Sequence, residues 1–257
     1  SGSRVFQSLS DYIYTAGGDV SYNFEMFGQK QTLKGGYMLQ IKDRLYDAKL
    51  FANYLPKDND VLKQLTEDKI FASQNFGNGT DNKFAFDAIK GNTFRYLANT
   101  ILNAGFLQFD NQFTNKLRVV WGLRVEHFDQ LVGSVKKYDP RHTNTKVTDF
   151  LPGVNATYKL NDKTNIRLSG SQTVVRPELR ELAFLNLYDF ELNLSVQGDP
   201  TLKRTKITNL DLRYELYPRA GEVFTLGVFY KNFNTPTEQF LNNTTVNFVN
   251  LTKATAF

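Results

Sequence analysis

The chain has 257 residues, a formal net charge of +5 and no cysteine, so disulfides and thiolate metal sites are excluded. Mean hydropathy is −0.41, and no apolar run approaches the roughly 18–20 residues of a transmembrane helix; a helical membrane protein is excluded, although strands that cross a bilayer keep ordinary hydropathy. Lys and Arg are scattered rather than clustered, which argues against a nucleic-acid partner.

Ser1-Gly2-Ser3 reads as a remnant of expression, with no leader after it. From Asp11 to Met26 the even positions carry Tyr12, Tyr14, Ala16, Gly18, Val20, Tyr22, Phe24 and Met26, against Asp11, Ile13, Thr15, Gly17, Asp19, Ser21, Asn23 and Glu25 at the odd ones. This period of two predicts a strand much longer than the usual five or six residues. A tight turn at 27–31 leads to a second strand with Leu33, Gly35, Tyr37, Leu39 and Ile41 on one face. Leu55 to Asn92 is rich in Asn, Asp and Gly and reads as a long loop, with one short helix around Val61 to Leu65. Loops of that length usually carry function.

Strands resume at Tyr96 to Phe113. After a turn at Thr114-Asn115-Lys116 comes the clearest strand, with Leu117, Val119, Trp121, Leu123 and Val125 facing one way and Arg118, Gly122, Arg124 and Glu126 the other, Val120 being the exception. Leu131 to Val147 reads as loop, Phe150 to Leu160 as strand, Asn161 to Thr164 as turn, and Ile166 opens the next strand. That strand runs into Arg176-Pro177-Glu178-Leu179-Arg180-Glu181-Leu182, where Pro177 suits the end of strand pairing because it cannot donate to a ladder. A long segment follows, with Tyr188-Asp189 and Gln197-Gly198-Asp199-Pro200-Thr201-Leu202-Lys203-Arg204. Two alternating strands, Lys206 to Tyr217 and Glu222 to Tyr230, flank the turn Pro218 to Gly221, and a last strand is expected from Thr244.

Short turns therefore alternate with long loops, the asymmetry of transmembrane barrels, whose turns lie on the periplasmic side and whose long loops lie outside. Tyr12, Tyr14, Phe24, Phe27, Tyr158, Tyr217 and Tyr230 fall near the predicted strand ends, where aromatic girdles are expected. Ordinary β-propensity accounts for the same residues. The fold class expected is all-β, an antiparallel up-and-down transmembrane barrel segment of about nine long strands. A soluble β-rich binding protein is the competing reading.

Little in the sequence suggests catalysis. His127 and His142 are the only histidines, and no Gly-x-Ser-x-Gly elbow is present. Asp58, Asn59 and Asp60 lack the Glu that closes a twelve-residue calcium loop. No enzyme activity, metal or cofactor is expected. The candidate ligand-binding residues, at the mouth of the lumen, are Arg176, Glu178, Arg180, Glu181, Tyr188 and Asp189. A structural role for the charged cluster, pairing with lumen charges and fixing the loop, is the favoured alternative.

Ser-x-Thr entering R-P-E-x-R-E-L, then Tyr-Asp, Gln-Gly-Asp-Pro-x-Leu and Arg-Tyr-Glu-x-Tyr-Pro, resembles TonB-dependent outer-membrane receptors of the Bacteroidetes type. Asp149-Phe150-Leu151-Pro152-Gly153-Val154-Asn155 and Trp121 to Glu126 also fit that family. The resemblance covers most of the chain, with little of it in Leu55 to Asn92. It implies part of a roughly 22-stranded plugged barrel in the outer membrane of a Gram-negative bacterium, importing a siderophore, glycan or peptide. The partners implied are outer-membrane lipid, a small nutrient ligand and the TonB complex, reached through a plug domain that residues 1–257 lack. Open strand edges would also favour self-association. A barrel with an adhesive or assembly role and no transport is the alternative within the same fold.

Overall fold

The computed structural model describes residues 4–26, 28–78, 82–89, 95–134, 136–189, 191 and 193–257, apart from the side chains of Ile89 and Leu187. They fall into two compact units, one of Ser1–Ser10 with Leu45–Tyr96 and one of Asp11–Arg44 with Leu97–Phe257. The chain is built from strands β1 (Arg4–Met26), β2 (Gln29–Tyr54), β3 (Ala85–Ile89), β4 (Arg95–Gln112), β5 (Leu117–Gly133), β6 (Thr143–Asn161) and β7 (Thr164–Val175). These are followed by β8 (Asn186–Asp189), β9 (Leu194–Gln197), β10 (Thr205–Leu216), β11 (Phe224–Asn234), β12 (Thr237–Asn242), β13 (Thr245–Asn250) and β14 (Lys253–Ala256). No described helix is long and apolar enough to cross a membrane.

The main sheet follows the order β1-β2-β4-β5-β6-β7-β10-β11-β14, with β3 paired to β2. Chain order and spatial order agree along this path, as an up-and-down meander requires, and its nine strands match the number expected. A second sheet, β12-β13-β9-β8, is made from the connections after β7 and β11.

In the larger unit the side-chain alternation sorts chemistry onto two faces. Leu212 of β10 pairs with Val228 of β11 and Leu168 of β7, and Leu168 pairs with Ala156 of β6, which meets Val119 of β5. Cross-strand partners share a face, so this row is apolar from strand to strand, and Leu168, Leu212 and Val228 are exposed. Trp121 stacks on Phe109 with ring centroids 4.6 Å apart on the same face, and its indole Nε1 donates to Asn111 at 2.9 Å. One residue along, Arg213 pairs with Arg167, and Arg167 pairs with Thr157. These two like charges flank buried Glu215, which accepts from Arg167 Nε at 2.9 Å and from the Tyr217 hydroxyl at 2.9 Å. An apolar face turned to lipid and a charged face turned to a lumen is the division a transmembrane barrel wall needs.

The turns between strands are short because local groups close them. Gly28 has φ of +66°, which a side chain would disfavour. Buried Gln31 donates to the carbonyls of Met26 at 3.1 Å and Gln112 at 2.9 Å, tying that turn to β4. Asn161 accepts from the Lys163 amide at 2.9 Å in the turn before β7.

Several boundaries differ from the sequence reading. β1 begins at Arg4 rather than Asp11; residues 4–10 lack the clean alternation that reveals the rest of the strand in the sequence. Tyr12 and Tyr14 are thus mid-strand, although the interval from Tyr14 to Phe24 is close to the 9–11 residues that cross a bilayer. Tyr158 and Tyr217 do stand at strand ends, whereas Tyr230 lies inside β11; Phe27 lies outside the described residues, as do Ser1 to Ser3, Gly79, Asp81 and Asn92. The stretch read as loop from Leu131 to Val147 is strand at both ends, 131–133 in β5 and 143–147 in β6. Only residues 134–142 connect β5 to β6, which pair from Leu117↔Tyr158 to Val132↔Thr143. The last strand expected from Thr244 is two short strands, β13 and β14, and a further one, β12, precedes it between Thr235 and Asn243, both at positive φ.

In the smaller unit, Leu55 to Asn92 is less irregular than its composition suggests. It forms α1 (Asp60–Lys63), α2 (Glu67–Ile70), a 3-10 turn at Ser73–Asn75, and β3. The helix expected around Val61 to Leu65 is α1, and Asn59 caps it by accepting from the Leu62 amide at 3.3 Å.

Candidate functional site

The densest chemistry lies where β7 ends. Arg176 follows the last strand residue and its guanidinium lies 4.5 Å from the ring centroid of Phe128 on β5. Its Nη2 donates to Glu126 at 2.8 Å and to Asp149 at 3.3 Å. Glu126 also accepts from Arg124 Nε at 2.6 Å. Asp149, only 1% exposed, accepts from Arg204 Nε at 2.8 Å, and Lys206 Nζ stands 3.7 Å away. Glu126 and Asp149 are register partners across β5 and β6. Two adjacent acids on the inner wall thus collect three arginines and a lysine, two of which flank the β7–β10 connection at Arg176 and Arg204.

That connection is held by backbone as well as by charge. Helix α3 (Leu179–Leu182) begins at Glu178, whose amide donates to Glu181 Oε2 at 2.9 Å in a reciprocal capping box. Leu179, Leu182, Ala183, Leu185 and Leu202 are buried, so this segment carries an apolar interior of its own. The Asp199 amide donates to the Glu181 carbonyl at 2.6 Å and the Gly198 amide to that of Leu185 at 3.2 Å. Gly198 sits so close to α3 that a Cβ would fall 2.1 Å from the Ala183 carbonyl oxygen, and only glycine fits. Asn250 then ties in the connection after β11: its Oδ1 accepts from the Lys203 amide at 2.6 Å, and its Nδ2 donates to the Lys203 carbonyl at 3.0 Å. Strands β9 and β13 pair in parallel from Thr245↔Ser195 to Asn247↔Gln197, which joins both connections in one small sheet.

The expected ligand-binding residues occupy different places in this arrangement. Arg176 is in the charge cluster, and Glu178 and Glu181 close the first turn of α3. Arg180 is exposed on that helix, and Tyr188 is exposed on β8 with its hydroxyl bonded to Asn193. Asp189 accepts from the Glu191 amide at 2.9 Å. The sequence reading named Asp149, Gly198 and Arg204 within longer motifs but made neither them nor Asn250 site candidates. Asp149 carried a signal in hindsight, an acid on an inner-facing position of a strand paired with Glu126.

The remaining candidates have structural partners. His127 Nδ1 lies 2.9 Å from Thr148 Oγ1 on the outward face, and His142 Nδ1 lies 2.6 Å from the Ser134 carbonyl oxygen. Asn59 is the cap of α1, and Asp58 pairs with Lys63. Among the described residues no three acids or histidines converge as metal ligands. In the connection between β5 and β6, the Arg141 guanidinium holds the Asp139 carboxyl far below the usual carboxylate range, and its Nε and Nη2 donate to Asp139 at 2.9 and 2.6 Å.

Comparison with known proteins agrees with this geometry. The model of the outer membrane protein beta-barrel family matches residues 64–255. Among solved structures, the chain resembles the ferric enterobactin receptor of Pseudomonas aeruginosa, solved as a mutant with enterobactin, with a TM-score of 0.56 and 16% identity over 97% of this chain and 32% of that one. It also resembles the ferric-catecholate import receptor Fiu of E. coli K12, with a TM-score of 0.60 and 11% identity over 97% and 34%. For the alcaligin outer-membrane receptor FauA of Bordetella pertussis the values are 0.56 and 12%, over 96% and 35%. The chain thus spans about a third of the length of these receptors, and at such identities the likeness is one of fold. No curated protein sequence matches it. Sheet order, the two-faced strands and the family match over residues 64–255 agree: the chain belongs to the outer membrane protein β-barrel family, whose members are barrels of the Gram-negative outer membrane rather than enzymes.

Proposed function

We propose that the chain forms part of the wall and exterior mouth of a TonB-dependent receptor that takes up a nutrient such as a siderophore, a glycan or a peptide. The observation that carries this reading is the anchored β7–β10 connection. A segment that long, fixed to the inner wall by Arg176 and Arg204, is a preformed mouth rather than a free surface loop. Preorganised segments at a lumen entrance bind ligands at lower entropic cost than mobile ones. Arg180 and Tyr188, both exposed, would meet the ligand, whereas Arg176, Glu178 and Glu181 position the segment. Energy from TonB would pass through a plug domain of the whole receptor.

The test is growth of the source bacterium with the full-length gene deleted, then restored, on a panel of ferric chelates, oligosaccharides and peptides supplied as sole iron or carbon source. Uptake of one class that needs both this gene and TonB is expected. If the deletion strain grows as the parent on every nutrient but loses surface attachment, an adhesive barrel replaces the uptake reading.

A further inference from the structure

The small sheet of the two connections builds a cavity of about 320 Å³, lined by Phe184, Gln197, Asp199, Phe240, Asn247 and Phe248 among others. This is within the size range of small-molecule sites. Its floor is set by register. Phe240 of β12 pairs with Asn247 of β13, and Asn247 pairs with Gln197 of β9. Cross-strand partners project from one face, so an aromatic ring and two amides stand in one row. Phe248 is buried, while Phe184 and Phe240 keep ring surface exposed.

The polar groups facing this space supply acceptors at Gln197, Asn247 and Asp199, with carboxamide N–H donors beside them at Gln197 and Asn247. Asn247 donates its Nδ2 to the Thr245 carbonyl at 3.2 Å, which leaves its Oδ1 as an acceptor. Among the described residues the Gln197 amide has no hydrogen-bond partner. Asp199 is held in place by the Thr201 amide and hydroxyl, both 2.7 Å from its Oδ1. No cationic side chain is among the lining residues. An anionic ferric chelate would meet one carboxylate there and no compensating charge. A ligand with several hydroxyl donors and an apolar ring face would meet acceptors and phenyl faces together.

Resting on the uptake reading above, we propose that this cavity takes a neutral, hydroxyl-rich ring such as a hexose unit, with Phe240 as the stacking surface and Gln197, Asn247 and Asp199 as acceptors. The close fit of Gly198 against α3 and the Asn250 ties keep the cavity formed without ligand.

The experiment is calorimetric titration of the full-length receptor in detergent with D-glucose, D-galactose, N-acetylglucosamine and maltose, with a ferric catecholate as the anionic control. At least one saccharide is expected to bind, and Phe240→Ala and Asn247→Ala are each expected to weaken it at least tenfold with the unfolding midpoint unchanged. Gln197→Ala, which disturbs no existing hydrogen bond, serves as the second variant should either of the others lower that midpoint. Absence of binding by all four saccharides, or binding unaltered in Gln197→Ala and Phe240→Ala, overturns the assignment. If TonB-dependent uptake is found only for a ferric chelate and these variants leave it intact, the cavity assignment fails and the uptake reading stands. Saccharide binding without any TonB-dependent growth has the opposite meaning.

Discussion

The segments between β2 and β3 and between β7 and β10 are both long, and they are held in different ways. The first is tied within itself. Phe71, Phe76 and Phe84 form a cluster with centroids 5.5–6.5 Å apart, Leu62 is buried, and Asn59 caps α1 while its Nδ2 donates to the Asn82 carbonyl at 2.8 Å. The second is tied to the strands, through ion pairs that reach Glu126 on β5 and Asp149 on β6. An apolar cluster tolerates exchange of one hydrophobic residue for another. A buried acid with two guanidinium partners does not tolerate loss of its charge, because desolvated cations remain behind.

The largest effect should therefore come from Asp149→Ala. Breaking a buried pair by removing one member costs about 3–5 kcal/mol. Here the loss leaves Arg204 without its acid and Arg176 with Glu126 alone. Urea unfolding of the full-length receptor in detergent should show the loss, and limited proteolysis should cut within residues 176–204. A shift under about 1 kcal/mol would mean that the cluster does not anchor the segment. Phe84→Ala comes next, at about 3 kcal/mol for truncating a mostly buried phenyl. Its effect should stay local: hydrogen exchange should rise in residues 59–76 and not in residues 176–204. Loss of protection in both segments would contradict the view that each is held by its own ties.

The same contrast explains what the sequence reveals. The second segment is legible because charge, Pro177 and Gly198 restrict its chemistry, and those residues carried the family resemblance. The strands are legible because alternation over many residues has few alternative explanations. What stayed hidden is pairing at a distance. Nothing local to Asp149 announces that Arg204 will reach it across 55 positions, and nothing near Thr245 announces a parallel pairing with Ser195. The segment between β2 and β3 read as irregular for a different reason. Helices of four residues are too short to show periodicity, and Phe71, Phe76 and Phe84 do not fall on one strand or helix face.

Smaller effects sharpen the local side of the comparison. Asn59→Ala removes the α1 cap and the bond to Asn82, and a lost N-cap costs about 1 kcal/mol. Exchange at the Leu62 and Lys63 amides should rise, while Asn59→Asp should retain most of the protection. Equal exchange in Asn59→Ala and the parent would show that the Phe cluster alone holds the helix.

The smallest effect is the pH response of the Asp58–Lys63 pair beside that cap. Lys63 lowers the Asp58 pKa, first through the side-chain hydrogen bond and then through its charge, and Asp58 in turn raises that of Lys63. For Asp58, whose folded pKa is depressed, the contribution is present above the unfolded value of about 3.9 and lost as pH falls through the folded pKa. For Lys63, whose folded pKa is raised, the contribution is present below about 10.4 and lost as pH rises through the folded pKa. Between these limits both groups are charged, so protection of the α1 amides, corrected for intrinsic exchange, should be flat from about pH 5 to 9, fall in acid, and fall again above about pH 10.4. Both side chains are well exposed, so solvent and salt screen the pair, and 0.5 M NaCl should remove most of the acid-side change. A change centred near pH 6.5 would instead point to a histidine, and the pair would then have no part in holding this segment.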